Sequence, residues 1–318
     1  MSDNLYQLFT TQFSTNLELK LQQMGSKLRG KIREGTHIGK QASPINQVGA
    51  IAAKAPAGVF APKNTTNAAF TRRWVFPQPA EIDQLIDSFE ELETIVDPKS
   101  QYTENAAMAI GRAWDDSIIA NSFGTAQIGV DEGGLSAETF NTAATNATSN
   151  PGFVVPDNFG ASATSGLTVA KIIEAKRTFR HYHVDFDTDP LTLVIGSQQE
   201  SDLLNQAQVV STDFNDKPVL VDGKLTRFLG VDIVVLERLA TQTSTFTSTT
   251  VRNCLAFAKS GLYLGLWQDL VNRVSIRNDL SSEPYDLYTK TMYGVTRTQP
   301  GKVLQIQCSD VTGADITP

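Results

Sequence analysis

Between Ser100 and Gly124, the residues Ala107, Ile110, Trp114, Ile118 and Asn121 recur at steps of three or four, while Glu104, Arg112, Asp115 and Asp116 fall between them. That is the period of an amphipathic helix with one buried side. Pro98 suits a start just before it, and Gly124 suits the stop, where a left-handed backbone costs glycine nothing. At 1.5 Å per residue the span is about 36 Å, long for a globular domain. Ala106, Ala109, Ala113 and Ala120 keep its flanks thin, so sheets or neighbouring chains can come close.

The same reading carries along the rest of the chain. Leu5, Phe9, Phe13, Leu17, Leu21 and Met24 keep helical spacing. From Lys27 the period changes to two: Lys27, Arg29, Lys31 and Arg33 alternate with Leu28, Gly30 and Ile32, which predicts a strand with one basic face. Residues 35–69 are rich in small and polar side chains and lack a core of their own, so they read as an extended excursion. Phe70, Arg72, Trp74 and Phe76 then alternate as a second strand, expected to pair with the first in a long hairpin. Glu81 to Asp97 carries seven carboxylates and no base, with Leu85, Ile86, Phe89 and Leu92 at helical spacing, which predicts a short helix with an acidic face. Residues 125–165 read as surface loops or a short hairpin. Val169, Ile172, Ile173 and Phe179 predict a helix over 167–181, and Leu191 to Ile195 a buried strand. Ser197 and Glu200 form a capping-box pattern opening a helix to about Val210. Phe228 to Leu236 and Val251 to Phe257 read as further strands. The stretch from Val271 to Gln307 alternates repeatedly, with a turn at Gln299-Pro300-Gly301.

Composition narrows the function classes. A chain of 318 residues with 41% hydrophobic and 19% charged side chains is a folded one. Its net charge of −7 and the absence of a basic run argue against tight wrapping of a polyanion, although an acidic surface can face DNA without sticking to it. Cys254 and Cys308, the two cysteines, lie in apolar strand-like runs and read as buried free thiols. No signal-peptide pattern opens the chain and no run approaches ~18 apolar residues, so no membrane association is expected.

Candidate chemistry is sparse. His181, His183, Asp185 and Asp187 would project to one face of an extended strand, and imidazole with carboxylate suits zinc. The string instead follows a helix end and precedes Thr188-Asp189-Pro190, and a straight strand cannot wrap a tetrahedral ion, so it reads as a structural turn with no metal. His37 stands alone in the excursion. A Walker loop, HExxH, CxxC and a G-x-G-x-x-G after a strand are all absent. No catalytic residue and no cofactor is expected.

The order of these pieces resembles the tailed-phage major capsid proteins with the Hong Kong 97 fold. Arg227-Phe228-Leu229-Gly230-Val231-Asp232-Ile233-Val234-Val235 is similar to that family's axial strand. Met292-Tyr293-Gly294-Val295-Thr296-Arg297, continuing through Val303-Leu304-Gln305-Ile306, is similar to its closing strand pair. The helix from Glu104 to Ile118-Ile119-Ala120-Asn121-Ser122-Phe123-Gly124 looks like its spine. The resemblance implies an α+β fold: an N-terminal arm over 1–26, an extended loop over 27–78, a peripheral domain over 79–150 with the spine helix 100–124, an axial domain over 151–270, and strands over 271–318 returning to the peripheral domain. It further implies a virion shell of hexamers and pentamers, built in the host cytoplasm around double-stranded DNA without sequence-specific binding. A separate scaffolding protein, a portal and decoration proteins would be its partners. An encapsulin-like nanocompartment is the alternative within the same fold, and a soluble metal hydrolase using His181, His183 and Asp185 the alternative outside it.

Charge segregation adds an expectation about assembly. The basic residues Lys27, Arg29, Lys31 and Arg33 are expected to meet the acidic stretch with Glu90, Glu91 and Glu93 across subunits, while Trp74 and Phe76 anchor the base of the excursion.

Overall fold

The structure is a computed structural model, and it describes residues 22–39, 43–55, 58, 65–87, 99–129, 134–145, 152–206, 225–244, 248–281 and 283–311. The chain divides into two compact units. One comprises Met1–Ser26, Pro79–Ala113 and Gln268–Met292, the other Lys27–Gln78, Trp114–Trp267 and Tyr293–Pro318.

In the first unit, the helix Lys99–Phe123 contributes its residues up to Ala113. Arg112 donates to Gln22 Oε1 (2.7 Å) and the Gln23 carbonyl (3.2 Å), and Gln22 donates to Asn105 Oδ1 (2.9 Å). Gly111 permits this approach, because a Cβ there would lie 2.6 Å from the Ser26 nitrogen. The sheet of this unit is built from its parts of the strands Leu262–Ile276, Tyr285–Arg297 and Gln78–Ile86, in that order, with the last at the edge.

That edge strand corrects the helix expected from Glu81 onward. Ile82, Gln84 and Ile86 alternate with the more exposed Glu81, Asp83 and Leu85, a period of two that pairing with Tyr285–Arg297 selects. The apolar positions Leu85 and Ile86 fit either period, and the sheet decides. The rest of the acidic stretch, 88–98, lies outside the described residues.

In the second unit, a seven-stranded sheet forms the core. Its order is Val154–Val155, Val303–Ser309, Thr250–Ala258, Leu191–Ile195, Val231–Val235 and Arg227–Phe228, with Thr241–Thr243 pairing beside Thr250–Ala258. Leu191–Ile195 is buried at every position because it is sheathed on both sides by neighbours, Val231–Val235 in parallel and Thr250–Ala258 antiparallel. Cys254 and Cys308 are buried and free on adjacent strands. The helix Val169–His181 packs on this sheet through Val169, Ile172, Ala175 and Phe179.

Two local expectations change here. Phe228 to Leu236 is not one strand but a tight hairpin, turned at Leu229 (φ 51°) and Gly230 (φ 78°), the pair of left-handed residues that a two-residue hairpin loop requires. The helix Ser197–Leu204 ends before Val210, and its cap is shifted one residue from the expected Ser197–Glu200 box. Gln199 Oε1 accepts from the Gly196 nitrogen (3.2 Å), while the Ser197 nitrogen donates to the Glu237 carboxylate.

A four-stranded sheet completes the unit, in the order Ser43–Val48, Phe70–Val75, Ala126–Ile128 and Ser136–Glu138. The hairpin of the excursion is therefore made by Ser43–Val48 with Phe70–Val75, antiparallel from Ser43↔Val75 to Val48↔Phe70. Lys27–Arg33 takes no part in it. Arg29–Lys31 is a 3₁₀ turn, and the strand that follows, Arg33–Thr36, pairs in parallel with Tyr263–Leu266.

Candidate assembly site

The segment Tyr293-Gly294-Val295-Thr296-Arg297 ends its strand beside the C-terminal half of the long helix, and three of its residues hold the site together. The Tyr293 hydroxyl is 2.9 Å from Ser117 Oγ, and its ring meets Trp114 edge-on at 6.4 Å. Gly294 is required because a Cβ would fall 2.3 Å from the Phe76 carbonyl and 2.8 Å from Val75 Cγ1. Here the backbone leaving the excursion hairpin lies directly on the closing strand.

Arg297, 1% exposed, closes the helix. Its Nη1 donates to the Ser122 (2.9 Å) and Gly124 (2.8 Å) carbonyls and its Nη2 to the Glu138 carbonyl (3.1 Å), with the guanidinium 5.4 Å over the Phe140 ring. The last carbonyls of a helix have no partner of their own, and a cation placed on them also meets the negative end of the helix dipole. Gly124 does not take the left-handed conformation expected of it. The guanidinium supplies the cap instead. Burial pulls the pKa of Arg297 down, opposed by the Glu138 charge and reinforced by Arg73.

Asp115, on the same helix and fully buried, sets the other end of the excursion. Its carboxylate accepts from the backbone nitrogens of Lys27 (3.0 Å) and Leu28 (3.2 Å), the two residues that open the 3₁₀ turn, and Leu28 and Ile32 are buried below them. This contact, made across 87 and 88 positions, is the physical reason the basic segment turns instead of running as a strand.

The four basic residues accordingly do not share a face. Lys27 donates to the Val235 carbonyl (2.9 Å), Arg29 pairs with Glu34 (3.3 Å) and lies 4.6 Å over Trp114, and Lys31 pairs with Asp232 (3.0 Å). Arg33 is exposed, 5.9 Å from the centre of the Tyr263 ring. Trp74 is buried, its indole donating to the Gly129 carbonyl (3.1 Å), whereas Phe76 stays 41% exposed. At the far end of the hairpin the apolar residues are exposed, Val48 at 66% and Phe70 at 70%. Glu90, Glu91 and Glu93 lie outside the described residues.

In the first unit, the described part of the acidic stretch forms a sheet edge. Glu81 accepts from the Tyr288 hydroxyl (2.6 Å), and burial together with the neighbouring Asp83 raises the pKa of Asp286. The Arg277 and Arg273 charges oppose that rise.

The histidine string is a helix end. His181 is the last residue of Val169–His181, His183 is left-handed (φ 59°), and Asp185 accepts from the Asp187 nitrogen (3.3 Å) and Thr188 Oγ1 (3.0 Å). Among the described residues no group of three or more His, Cys, Asp or Glu is placed to hold a metal, and no helix is long and apolar enough to cross a membrane.

Asp115, Arg297 as a helix cap, and the buried Lys171 escaped the sequence reading as structural keystones, since a carboxylate or cation bonded to distant backbone leaves no spacing signal.

Comparison with known proteins extends this geometry. A family model described as phage capsid protein matches residues 5–310. No curated protein matches the chain. Among solved structures, the capsid of cyanophage P-SCSP1u is similar with a TM-score of 0.70 at 13% identity, covering 96% of this chain and 95% of that one. The cyanophage Pam1 capsid asymmetric unit is similar at 0.71 and 15% identity, covering 94% and 96%. The capsid of Ralstonia phage GP4 is similar at 0.70 and 10% identity, covering 96% and 97%. At such identities the likeness is one of fold.

Proposed function

Because the chain belongs to the phage capsid protein family and has the Hong Kong 97 fold of tailed-phage major capsid proteins, we propose that it self-assembles through hexamers and pentamers into an icosahedral shell around double-stranded DNA. The observation that carries this reading is the family match over residues 5–310, joined to a fold shared along nearly the whole length of solved capsid chains. Its part is structural. The excursion hairpin, the helix Lys99–Phe123 and the seven-stranded sheet take the roles of extended loop, spine and axial core, with residues 1–26 as the arm. Assembly takes place in the host cytoplasm, with a separate scaffolding protein, a portal and decoration proteins as partners.

Electron microscopy of the expressed protein, with and without a co-expressed scaffold, tests the proposal. Closed shells of uniform diameter are expected. Monomers or dimers alone at high concentration, under both conditions, would overturn it. Nuclease-protected DNA inside particles from infected cells distinguishes a genome shell from an encapsulin-like compartment, whose particles would hold protein cargo.

Charge complementarity between copies remains part of this reading, narrowed by the geometry. Lys27 is bonded to the Val235 carbonyl, Arg29 packs on Trp114 and Lys31 on Asp232, so the exposed Arg33 is the member of the basic set best placed to meet a neighbour's acidic 81–97 stretch. Each exposed pair contributes only ~0–1 kcal/mol, but a shell repeats it at every subunit. Arg33→Glu is expected to slow assembly while the monomer's circular dichroism stays unchanged. Raised salt should slow the wild type in the same direction. Unaltered assembly of the variant at low salt would remove this contact from the proposal.

A further inference from the structure

His37 follows the strand Arg33–Thr36 and stands where the excursion leaves the body of its unit. Its nitrogen donates to the Leu266 carbonyl (2.9 Å), extending the parallel pairing by one bond. The imidazole sits in an aromatic cage, 5.0 Å from the Trp267 ring at a 33° tilt and 5.6 Å from the Tyr263 ring at 63°. Gly265 leaves the room for it, since a Cβ there would fall 2.6 Å from His37 Cδ2. Inside this cage two polar atoms, His37 Nε2 and Trp267 Nε1, are buried and have no hydrogen-bond partner among the described residues.

The two orphan atoms are of complementary type in one protonation state only. An indole nitrogen only donates, and Nε2 of a neutral imidazole with its proton on Nδ1 accepts. Protonation converts Nε2 into a charged donor in a cage whose other orphan atom is also a donor, and where none of the described residues accepts from it. Nearby cations add to the cost: the Arg33 guanidinium, from His37's own segment, lies 5.9 Å from the Tyr263 ring, and the turn Lys259–Gly261 packed against Arg33–Thr36 carries the exposed Lys259. Glu34, the carboxylate closest in sequence, is paired with Arg29 at 3.3 Å. From the strand Leu262–Ile276 the facing groups are the neutral Tyr263 and Trp267.

We propose that His37 is a pH-sensitive latch at the root of the excursion, holding Arg33–Thr36 on Tyr263–Leu266 while neutral and releasing it when protonated. Burial lowers its pKa from the ordinary 6.5, so the folded chain binds the proton less readily than the unfolded one. Stability then rises with pH: the latch is at full strength above the ordinary imidazole range and weakens as the pH falls through that range towards the depressed value. What the latch controls is the freedom of the segment leading to the hairpin Ser43–Val48 with Phe70–Val75, whose Val48 and Phe70 are exposed apolar surface.

Hydrogen exchange by mass spectrometry on the full, unassembled chain reads this directly, with rates corrected for the intrinsic pH dependence. In the wild type, protection of the amides over 34–37 is expected to fall several-fold between about pH 7.5 and about pH 5, while the strand Leu191–Ile195 keeps its protection. His37→Phe retains a ring in the cage and removes the titration, so its protection over 34–37 should not change with pH. His37→Gln serves the same purpose if the larger ring disturbs folding. The proposal fails if the wild type keeps its protection at the lower pH, if Leu191–Ile195 loses protection in parallel, or if a folded variant shows the wild-type pH dependence.

Discussion

Replacing Arg297 by Met is expected to destabilise the chain by about 3–5 kcal/mol, the range for leaving buried partners of a charged group unmade. Met fills similar length but offers no donor. The buried Ser122 carbonyl and the half-buried carbonyls of Gly124 and Glu138 would then lose this donor, and the helix Lys99–Phe123 would end without a cation on its dipole. The loss over the Phe140 ring adds to this. Arg297→Lys should recover little, because a single ammonium cannot span carbonyls on both Nη1 and Nη2 as a planar fork does. Chemical denaturation monitored by circular dichroism and by Trp fluorescence checks both variants. A loss below about 1 kcal/mol for Arg297→Met would mean that the cap is dispensable. Because Gly294 sits three residues earlier against the Phe76 carbonyl, Gly294→Ala offers an independent disturbance of the same junction, acting by collision rather than by lost bonds.

Much of the architecture follows from periodicity because the elements in question bury one face. The long helix shows it through Ile110, Trp114 and Ile118, all buried, and Val169–His181 through Ile172, Ala175 and Phe179. Leu191–Ile195 reads correctly because a short apolar run has only the sheet interior to go to. The errors fall where two periods coincide or where a distant group decides. Lys27 to Arg33 alternates like a strand, yet Leu28 and Ile32 also stand four residues apart, and the Asp115 carboxylate selects the turn. Leu85 and Ile86 fit a helix as well as a strand, and the neighbouring Tyr285–Arg297 settles them. The family motif was legible as letters; its physics was not. That Tyr293 reaches Ser117, Gly294 admits Phe76 and Arg297 caps the helix are facts of the folded chain, with partners scattered over the sequence. The charge-based site fared differently: segregation was visible, but of the basic set only Lys27 and Arg33 are exposed, and Lys27 is bonded to the Val235 carbonyl.

Lys171→Met is expected to cost a further ~3–5 kcal/mol, localised to the unit that holds the seven-stranded sheet. Lysine is an unusual choice here. It lies in the first turn of Val169–His181, where the helix dipole disfavours a cation, and it is fully buried. Side chains on a helix point back towards its N-terminus, and this one uses that direction to bring its ammonium among four backbone carbonyls: Asp157, Ser165 and Gly166 at 2.9 Å each, and Gln307 at 3.0 Å. Three protons serve four acceptors, so one is shared. The consequence is a knot between the 157–166 loop, the helix start and the strand Val303–Ser309, which the Ser309 nitrogen tightens by donating to the Ser165 carbonyl (2.9 Å). Without the ammonium those carbonyls converge on an apolar chain and repel one another. Lys171→Arg should not restore the site, since a planar guanidinium cannot address four oxygens arranged around a point. The exposed Lys259→Met, by contrast, should stay within about 0.5 kcal/mol of the wild type. Denaturation midpoints for the three variants, with hydrogen exchange over Val303–Ser309 as the local readout, check the expectation. Equal midpoints for Lys171→Met and Lys259→Met would show that the ammonium is an ornament of the fold and not one of its fastenings.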